Sequence, residues 1–459
     1  MKILIFGVGG TYRIQKENIS ITDEIIGFLD NNPDLWGTLM DGVTIHCPAD
    51  ILQISYDKVI LMSIHALEIR NQLLELGCKA SNIMHYMEYI SSQNAGKMQM
   101  EFPLEKVHGK KKRCLVISTD LGYNGGSLSA FYLAMALQNK GYETVIAAPD
   151  GNPFVIEEIK RKGICILLYQ NLPYASEEEL FWVEYFQHVI VNTLQMSCCA
   201  GEIARTRKVI LWLHEPLELY GRMEYWKEKI EEGIHREHLS IYAVSSIAKK
   251  NFVENYHFPI VKLFPYGIPD TVDEVYRYAG NGLMFAVIGA MIPLKGQDLF
   301  LDAIERLDVE ERNRSFFLMA GKALDDEYGI RIKKRVEQYP SIQITGECTR
   351  ENIKRIYQRV DVFVIASREE TMSMVATEAM MLGKPCIISD VSGMSAYVKD
   401  YRNGFKFESD NVKELVKRMR WCMNNTEMLK KIGEEARATY ESNFSMEVFG
   451  DNLERVLLR

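Results

Sequence analysis

Short runs of consecutive apolar residues recur along the chain, each followed by a polar, glycine-bearing loop and usually by a helical pattern. Residues 2–6, 24–29, 42–45 and 58–62 predict four strands, and 67–76 an amphipathic helix that closes at Gly77, a residue suited to the left-handed C′ position. A second series follows at 114–118, 141–147, 188–192, 209–213 and 241–246, with a helix over 128–139 that is apolar at 128, 131, 133, 135 and 137. A third series lies at 283–289, 316–321, 341–346, 360–366 and 386–389. Helices are predicted up to Leu307, over 374–382 and over 440–458. Strands that read as unbroken apolar runs and alternate with helices are those of parallel sheets covered on both faces. The first series makes a compact Rossmann-like unit over residues 1–95, and the polar stretch 96–112 predicts a linker to the rest.

Candidate chemistry gathers where loops leave the carboxyl ends of these strands, the edge at which open parallel sheets bind ligands. The richest stretch is 367–393, S-R-E-E-T-M-S-M-V-A-T-E-A-M-M-L-G-K-P-C-I-I-S-D-V-S-G. Glu370 stands in the loop after the strand pattern 360–366, and Glu378 eight residues on in a short apolar helix stopped by Gly383 and Pro385. Gly125 and Gly126 precede the helix over 128–139, where free backbone N–H groups and the helix dipole favour an anion. Lys295-Gly296 opens another helix, a poor place for a bare cation unless an anion is near. His214 ends the strand pattern 209–213. In the first unit, Gly7 and Gly9 follow a strand and Asp30 lies 20 residues beyond Gly10, but Tyr12 stands where a third glycine of a dinucleotide fingerprint belongs. A weak ligand site and a purely structural turn both fit that pattern.

Composition narrows the function classes. At 459 residues two to three domains are expected, and 47% hydrophobic with 25% charged residues is globular. A net charge of −8 argues against a nucleic-acid partner. Nine cysteines without a C-x-x-C pattern suggest a reducing compartment and no zinc site. The apolar run at the N-terminus is too short for a signal peptide core, and no stretch approaches the roughly 18 apolar residues of a spanning helix, so a cytoplasmic protein is expected. The basic run Gly109-Lys110-Lys111-Lys112-Arg113 is either a solvated linker or a contact to an anionic surface, such as the inner face of a membrane.

The stretch around Glu370 resembles the C-terminal lobe of retaining glycosyltransferases of family GT4. Their signature is Glu, seven residues, Glu, then Ala and Gly-x-Pro, matched by Glu370, Glu378, Ala379, Gly383 and Pro385. The resemblance covers about 113–459 and implies the GT-B architecture, two Rossmann-like lobes facing a cleft. The acceptor-side lobe would be 113–270 and the donor-side lobe 271–459, with the segment 264–270 leading between them and the terminal helix packing back across the first lobe. The opening unit is similar to the small domain joined to some nucleotide-sugar acyltransferases.

The implied activity is hexosyl transfer from a nucleotide diphosphate sugar to a hydroxyl of a glycan or lipid-linked acceptor, with retention, as in polysaccharide synthesis. By carry-over, Glu370, His214 and Lys295 act on the reacting groups. Gly125, Gly126, Gly289, Gly296, Thr371, Met372, Ser373 and Glu378 surround the donor, with Glu378 on the ribose hydroxyls. No cofactor or metal is implied, and the chain has no Asp-x-Asp. Two departures matter. Ala290 stands where the family often has arginine, so either Lys295 with backbone dipoles suffices or another cation reaches in; and Thr371-Met372-Ser373 replaces a frequent Gly-Phe-Gly. A nucleotide-sugar epimerase of the same two-lobe shape, and a non-catalytic partner subunit, are the alternatives.

Overall fold

The computed structural model describes residues 1–101, 112–271, 282–322 and 326–457. Three sheets carry the fold. The first orders its strands Leu39–Met40, Val43–His46, Glu24–Leu29, Lys2–Phe6, Lys58–Leu61 and Ile83–His85, parallel apart from the hairpin at the first edge. Ile3, Leu4 and Ile5 are fully buried because helices and turns cover both faces of that sheet.

The second sheet has eight strands in the order Val261–Leu263, Leu239–Ala243, Val209–Leu213, His188–Asn192, Arg113–Ile117, Glu143–Ala148, Cys165–Tyr169 and Met98–Glu101. All run parallel except Met98–Glu101, which pairs antiparallel with Cys165–Tyr169. The linker expected over 96–112 therefore holds an edge strand of this sheet. Its Met-Gln-Met-Glu sequence is half solvated and lacks the continuous apolar run of a central strand. The basic run lies outside the described residues except Lys112 and Arg113, and Arg113 pairs with Glu143 at 3.1 Å.

The third sheet is wholly parallel, in the order Ile342–Ile344, Ser315–Ala320, Leu283–Ile288, Val362–Ile365, Cys386–Ser389 and Phe405–Phe407. In the second and third sheets the first parallel strand of the lobe, Arg113–Ile117 or Leu283–Ile288, lies between two strands that both follow it in the chain, so the connections run off to opposite sides of it. That is a topological switch point, where the loops diverge and leave a crevice.

Two helices end the described chain, Thr426–Asn443 and Met446–Leu457, where one was expected over 440–458. The helix is interrupted at Phe444 and Ser445, and the last helix crosses to the second sheet. There Phe449 stacks on Phe264 at 5.2 Å, and Lys140 meets Asp451 at 2.5 Å. Gly267 is required at this crossing, since an added Cβ would lie 2.4 Å from the Cβ of Phe449. The first unit also docks on the second. Trp226 Nε1 donates to Glu88 at 2.6 Å, and the buried His85 ring lies 4.7 Å from that of Trp226. Burial pushes the His85 imidazole down to about 4, so it is neutral at this contact. No helix among the described residues is long and apolar enough to cross a membrane.

Candidate active site

A cavity of about 660 Å³ opens between the second and third sheets, at the carboxyl ends of their strands. From the second lobe in the chain come Gly289, Lys295, Glu370, Met372, Ser373 and Glu378, and from the first come Tyr123, Gly125, Leu128 and Tyr132. Each is placed by a local feature. Asn124 caps the helix Gly125–Asn139, its side chain accepting from Ser127 N–H at 3.0 Å, so the helix starts three residues before the expected 128 and Gly125 is its first residue. Gly125 thus presents its N–H end to the cavity, whereas Gly126 faces Thr193, whose Cγ2 would lie 3.4 Å from an added Cβ.

Lys295 ends a short turn, Pro293–Lys295, ahead of the helix Gln297–Glu305. Gly296 between them has φ +68°, and an added Cβ would fall 2.0 Å from the Ala366 carbonyl oxygen. Gly296 is therefore a packing glycine that lets this turn press on Ala366, at the end of the strand Val362–Ile365 that leads to Glu370, and it does not line the cavity. Gly289 has φ +143° and lines it.

The anion expected beside Lys295 is Glu370. The ammonium is hydrogen-bonded to Glu370 Oε2, which also accepts from Ser367 Oγ at 3.2 Å. Ser373 caps the helix Met374–Met381, accepting from Ala376 N–H at 3.3 Å, and Glu378 lies on the second turn of that helix. Tyr357, on the helix Arg350–Arg359, donates its hydroxyl to Glu378 Oε2 at 2.5 Å. Burial, reinforced by the Glu378 charge, holds the Tyr357 phenol well above its ordinary range, so it remains a donor.

Thr371 and His214 lie behind the cavity wall. Thr371 Oγ1 donates to the His214 carbonyl at 2.5 Å, and the His214 ring packs edge-on to Trp212 at 4.3 Å. His214 does not line the cavity. Its Nε2 is shielded from solvent without a hydrogen-bond partner, and burial lowers the imidazole to about 3, so it is neutral. The adjacent Glu215 is also buried. Burial raises its carboxyl to about 7 against the opposing pull of the His214 and Leu194 N–H groups, which it accepts at 2.8 and 2.7 Å.

Lys322, Glu347, Thr349, Lys354 and Tyr357 also line the cavity and were not singled out from sequence. Lys322 had a legible signal, standing just past the strand run that ends at Gly321. Its backbone oxygen accepts from Met291 N–H at 2.9 Å, which sets it beside Ala290. A second cation thus flanks the position where the arginine is absent, with Glu347 4.0 Å from its ammonium.

In the first unit Gly7 and Asp30 serve the backbone, whereas Gly9 precedes the short helix Gly10–Gln15 with open space beside it. Gly7 has φ +101°, and an added Cβ would come 2.9 Å from the Met62 carbonyl oxygen. The Asp30 carboxylate accepts from Val8 N–H at 3.2 Å and Asn32 N–H at 2.9 Å, so it ties two loops together. Among the described residues no group of three or more His, Cys, Asp or Glu side chains is placed to hold a metal ion.

With this geometry in hand, comparison with known proteins is informative. Residues 271–439 match the family described as glycosyl transferases group 1, and residues 1–84 the family described as C2185-like, N-terminal. An uncharacterized glycosyltransferase of Methanocaldococcus jannaschii is 28% identical over 180 residues, 38% of this chain and 47% of its own. One from Haemophilus influenzae is 23% identical over 353 residues, 70% of this chain and 93% of its own. The match spans less than half the length of the first curated relatives. Among solved structures, Anabaena HepE in complex with UDP and glucose superimposes with a TM-score of 0.64 at 16% identity, covering 75% of this chain and 99% of that one. This last likeness is one of fold.

Proposed function

We propose that this chain, a GT4-like glycosyltransferase of the GT-B fold, moves a hexose from a nucleotide diphosphate sugar to an acceptor hydroxyl with retention and without a bound metal. One observation carries the proposal. One cavity between the lobes brings Lys295, Glu370 and Glu378 together, with the glycine-led helix start of Gly125 on the facing wall. HepE, seen with UDP and glucose, supports a uridine nucleotide as the first donor to try.

The chemistry needs two things. The departing diphosphate requires positive charge, and the sugar's developing oxocarbenium character requires nearby acceptors. Lys295 meets the first need, with Lys322 in the place left by Ala290 and the Gly125 N–H end opposite. Glu370 meets the second by accepting sugar hydroxyls. Donor entry must then part the Lys295–Glu370 pair, the ammonium turning to phosphate and the carboxylate to sugar. Glu378, held by Tyr357, accepts from the ribose hydroxyls. His214 acts behind Glu370, as a neutral support under the loop that carries it. The acceptor is a glycan or lipid-linked hydroxyl met from the first lobe, at the inner face of a membrane in the cytoplasm. A thermal-shift screen of nucleotide diphosphate sugars tests the donor class, because a bound donor raises Tm by mass action. Stabilisation by one nucleotide series is expected, and none by any series would refute the proposal.

A further inference from the structure

The loop that carries Glu370 is fastened to the other lobe on both sides. On one side Glu369 Oε1 accepts from Leu217 N–H at 2.5 Å and from Asn251 Nδ2 at 2.8 Å, both in the first lobe. On the other, Thr371 Oγ1 donates to the His214 carbonyl. Asn251 is itself buried, and its amide also reaches the Glu215 carbonyl at 3.4 Å, so the anchor cannot swing freely. Below it, Gly393 N–H donates to the Glu370 carbonyl at 2.8 Å, and an added Cβ on Gly393 would lie 2.9 Å from that of Ser245 in the first lobe.

We propose that Glu369 is a positioning residue: through Leu217 and Asn251 it ties the presentation of Glu370 to the approach of the two lobes. The role of Glu370 here rests on the transferase function proposed above. When the lobes part, Glu369 loses both donors, and among the described residues none of its own lobe donates to that oxygen. Glu370 is then presented correctly only while the acceptor-side wall is in place. Nucleotide held by the second lobe alone binds whether or not the tie is made, but transfer requires it. Misplacing a reacting group by about 1 Å is enough to cost on the order of a hundredfold in rate.

Two readouts on the full chain test this. The first needs no substrate: amide hydrogen exchange over residues 367–373 in Asn251→Ala, a change in the opposite lobe. Exchange there should speed by about fivefold or more while the strand Val362–Ile365 is unchanged. The second is kinetic. Glu369→Ala should lower kcat by about tenfold or more with UDP affinity within about twofold of wild type. Glu369→Gln, whose amide oxygen still accepts from both donors, should recover most of the rate. Asn251→Ala with Glu369→Ala should be no worse than Glu369→Ala alone, because the Asn251–Glu369 bond is already absent in that variant. Unchanged exchange, normal turnover of Glu369→Ala, or losses that multiply would each overturn the proposal. A wild-type chain that consumes no donor would instead refute the transferase function, and the exchange experiment would still decide on the tie.

Discussion

Replacing Lys295 by alanine separates catalysis from stability most cleanly. In the structure its ammonium has one carboxylate partner, Glu370, and the two side chains are 28% and 13% exposed. A pair open to water on one side contributes about 0–1 kcal/mol to folding, which in a protein of this size moves Tm by no more than about 2–4 °C. If the same ammonium stabilises a departing diphosphate, its loss should cost on the order of a hundredfold to a thousandfold in kcat, about 2.7–4 kcal/mol of barrier. Ala290 supplies no charge, and Lys322 is more exposed and partly engaged by Glu347, so neither compensates fully. The assay is steady-state release of nucleotide diphosphate with the donor found by thermal shift, beside a melting curve on the same sample. A steep fall in kcat with a small change in Tm is expected, and Ala290→Arg should be neutral or faster. Near-normal kcat in Lys295→Ala would mean that other groups hold the diphosphate, and the assignment of Gly289–Gly296 to the donor site would fail.

Three further outcomes are expected. Glu378→Gln should weaken UDP about tenfold by calorimetry, in line with the loss of hydrogen bonds to a charged group, and unchanged affinity in a folded variant would refute the ribose assignment. The Glu215 carboxyl is raised from 4.5 to about 7 in the folded chain, so between those pH values the folded state holds a proton that the unfolded state releases. Its contribution to stability therefore falls as pH rises through that window, by roughly 3 kcal/mol at most, and Glu215→Gln should flatten the corresponding drop in Tm from pH 5 to pH 8; parallel profiles would contradict this. A chain begun at Gly96, which keeps the edge strand Met98–Glu101, should aggregate on size exclusion because it uncovers Trp226 and Tyr225, and Trp226→Arg should return it to the elution of the full chain's own assembly state. A soluble truncated chain with unchanged Tm would show that the first unit covers nothing that matters.

The fold was legible because parallel strands buried on both faces leave continuous apolar runs, as in residues 188–192, 209–213 and 386–389, whose strands start and stop where the pattern does. Met98–Glu101 escaped because an edge strand is half solvated. The break at Phe444 escaped because its cause is the docking of Phe449 on the other lobe, which no local pattern encodes. Lys295 and Glu370 stood out because they sit at a helix start and past a strand end, and Glu378 because it follows Glu370 by eight residues in a short helix stopped by Gly383 and Pro385. Tyr357 did not, since its hydroxyl meets Glu378 only through the packing of two helices. Asp30 was open to two readings because an acid after a second strand serves a loop as readily as a ribose, and its bonds to the N–H groups of Val8 and Asn32 supply the loop role.

The central claim is sugar transfer with retention by the cavity between the two lobes. The most direct test is time-resolved proton NMR of the anomeric signal, with the donor selected by thermal shift, a simple glycoside acceptor and EDTA present. The account predicts that nucleotide diphosphate is released and that the first-formed product carries the donor's anomeric configuration. An inverted product, a dependence on added metal, or an epimerised donor with no transfer would contradict it.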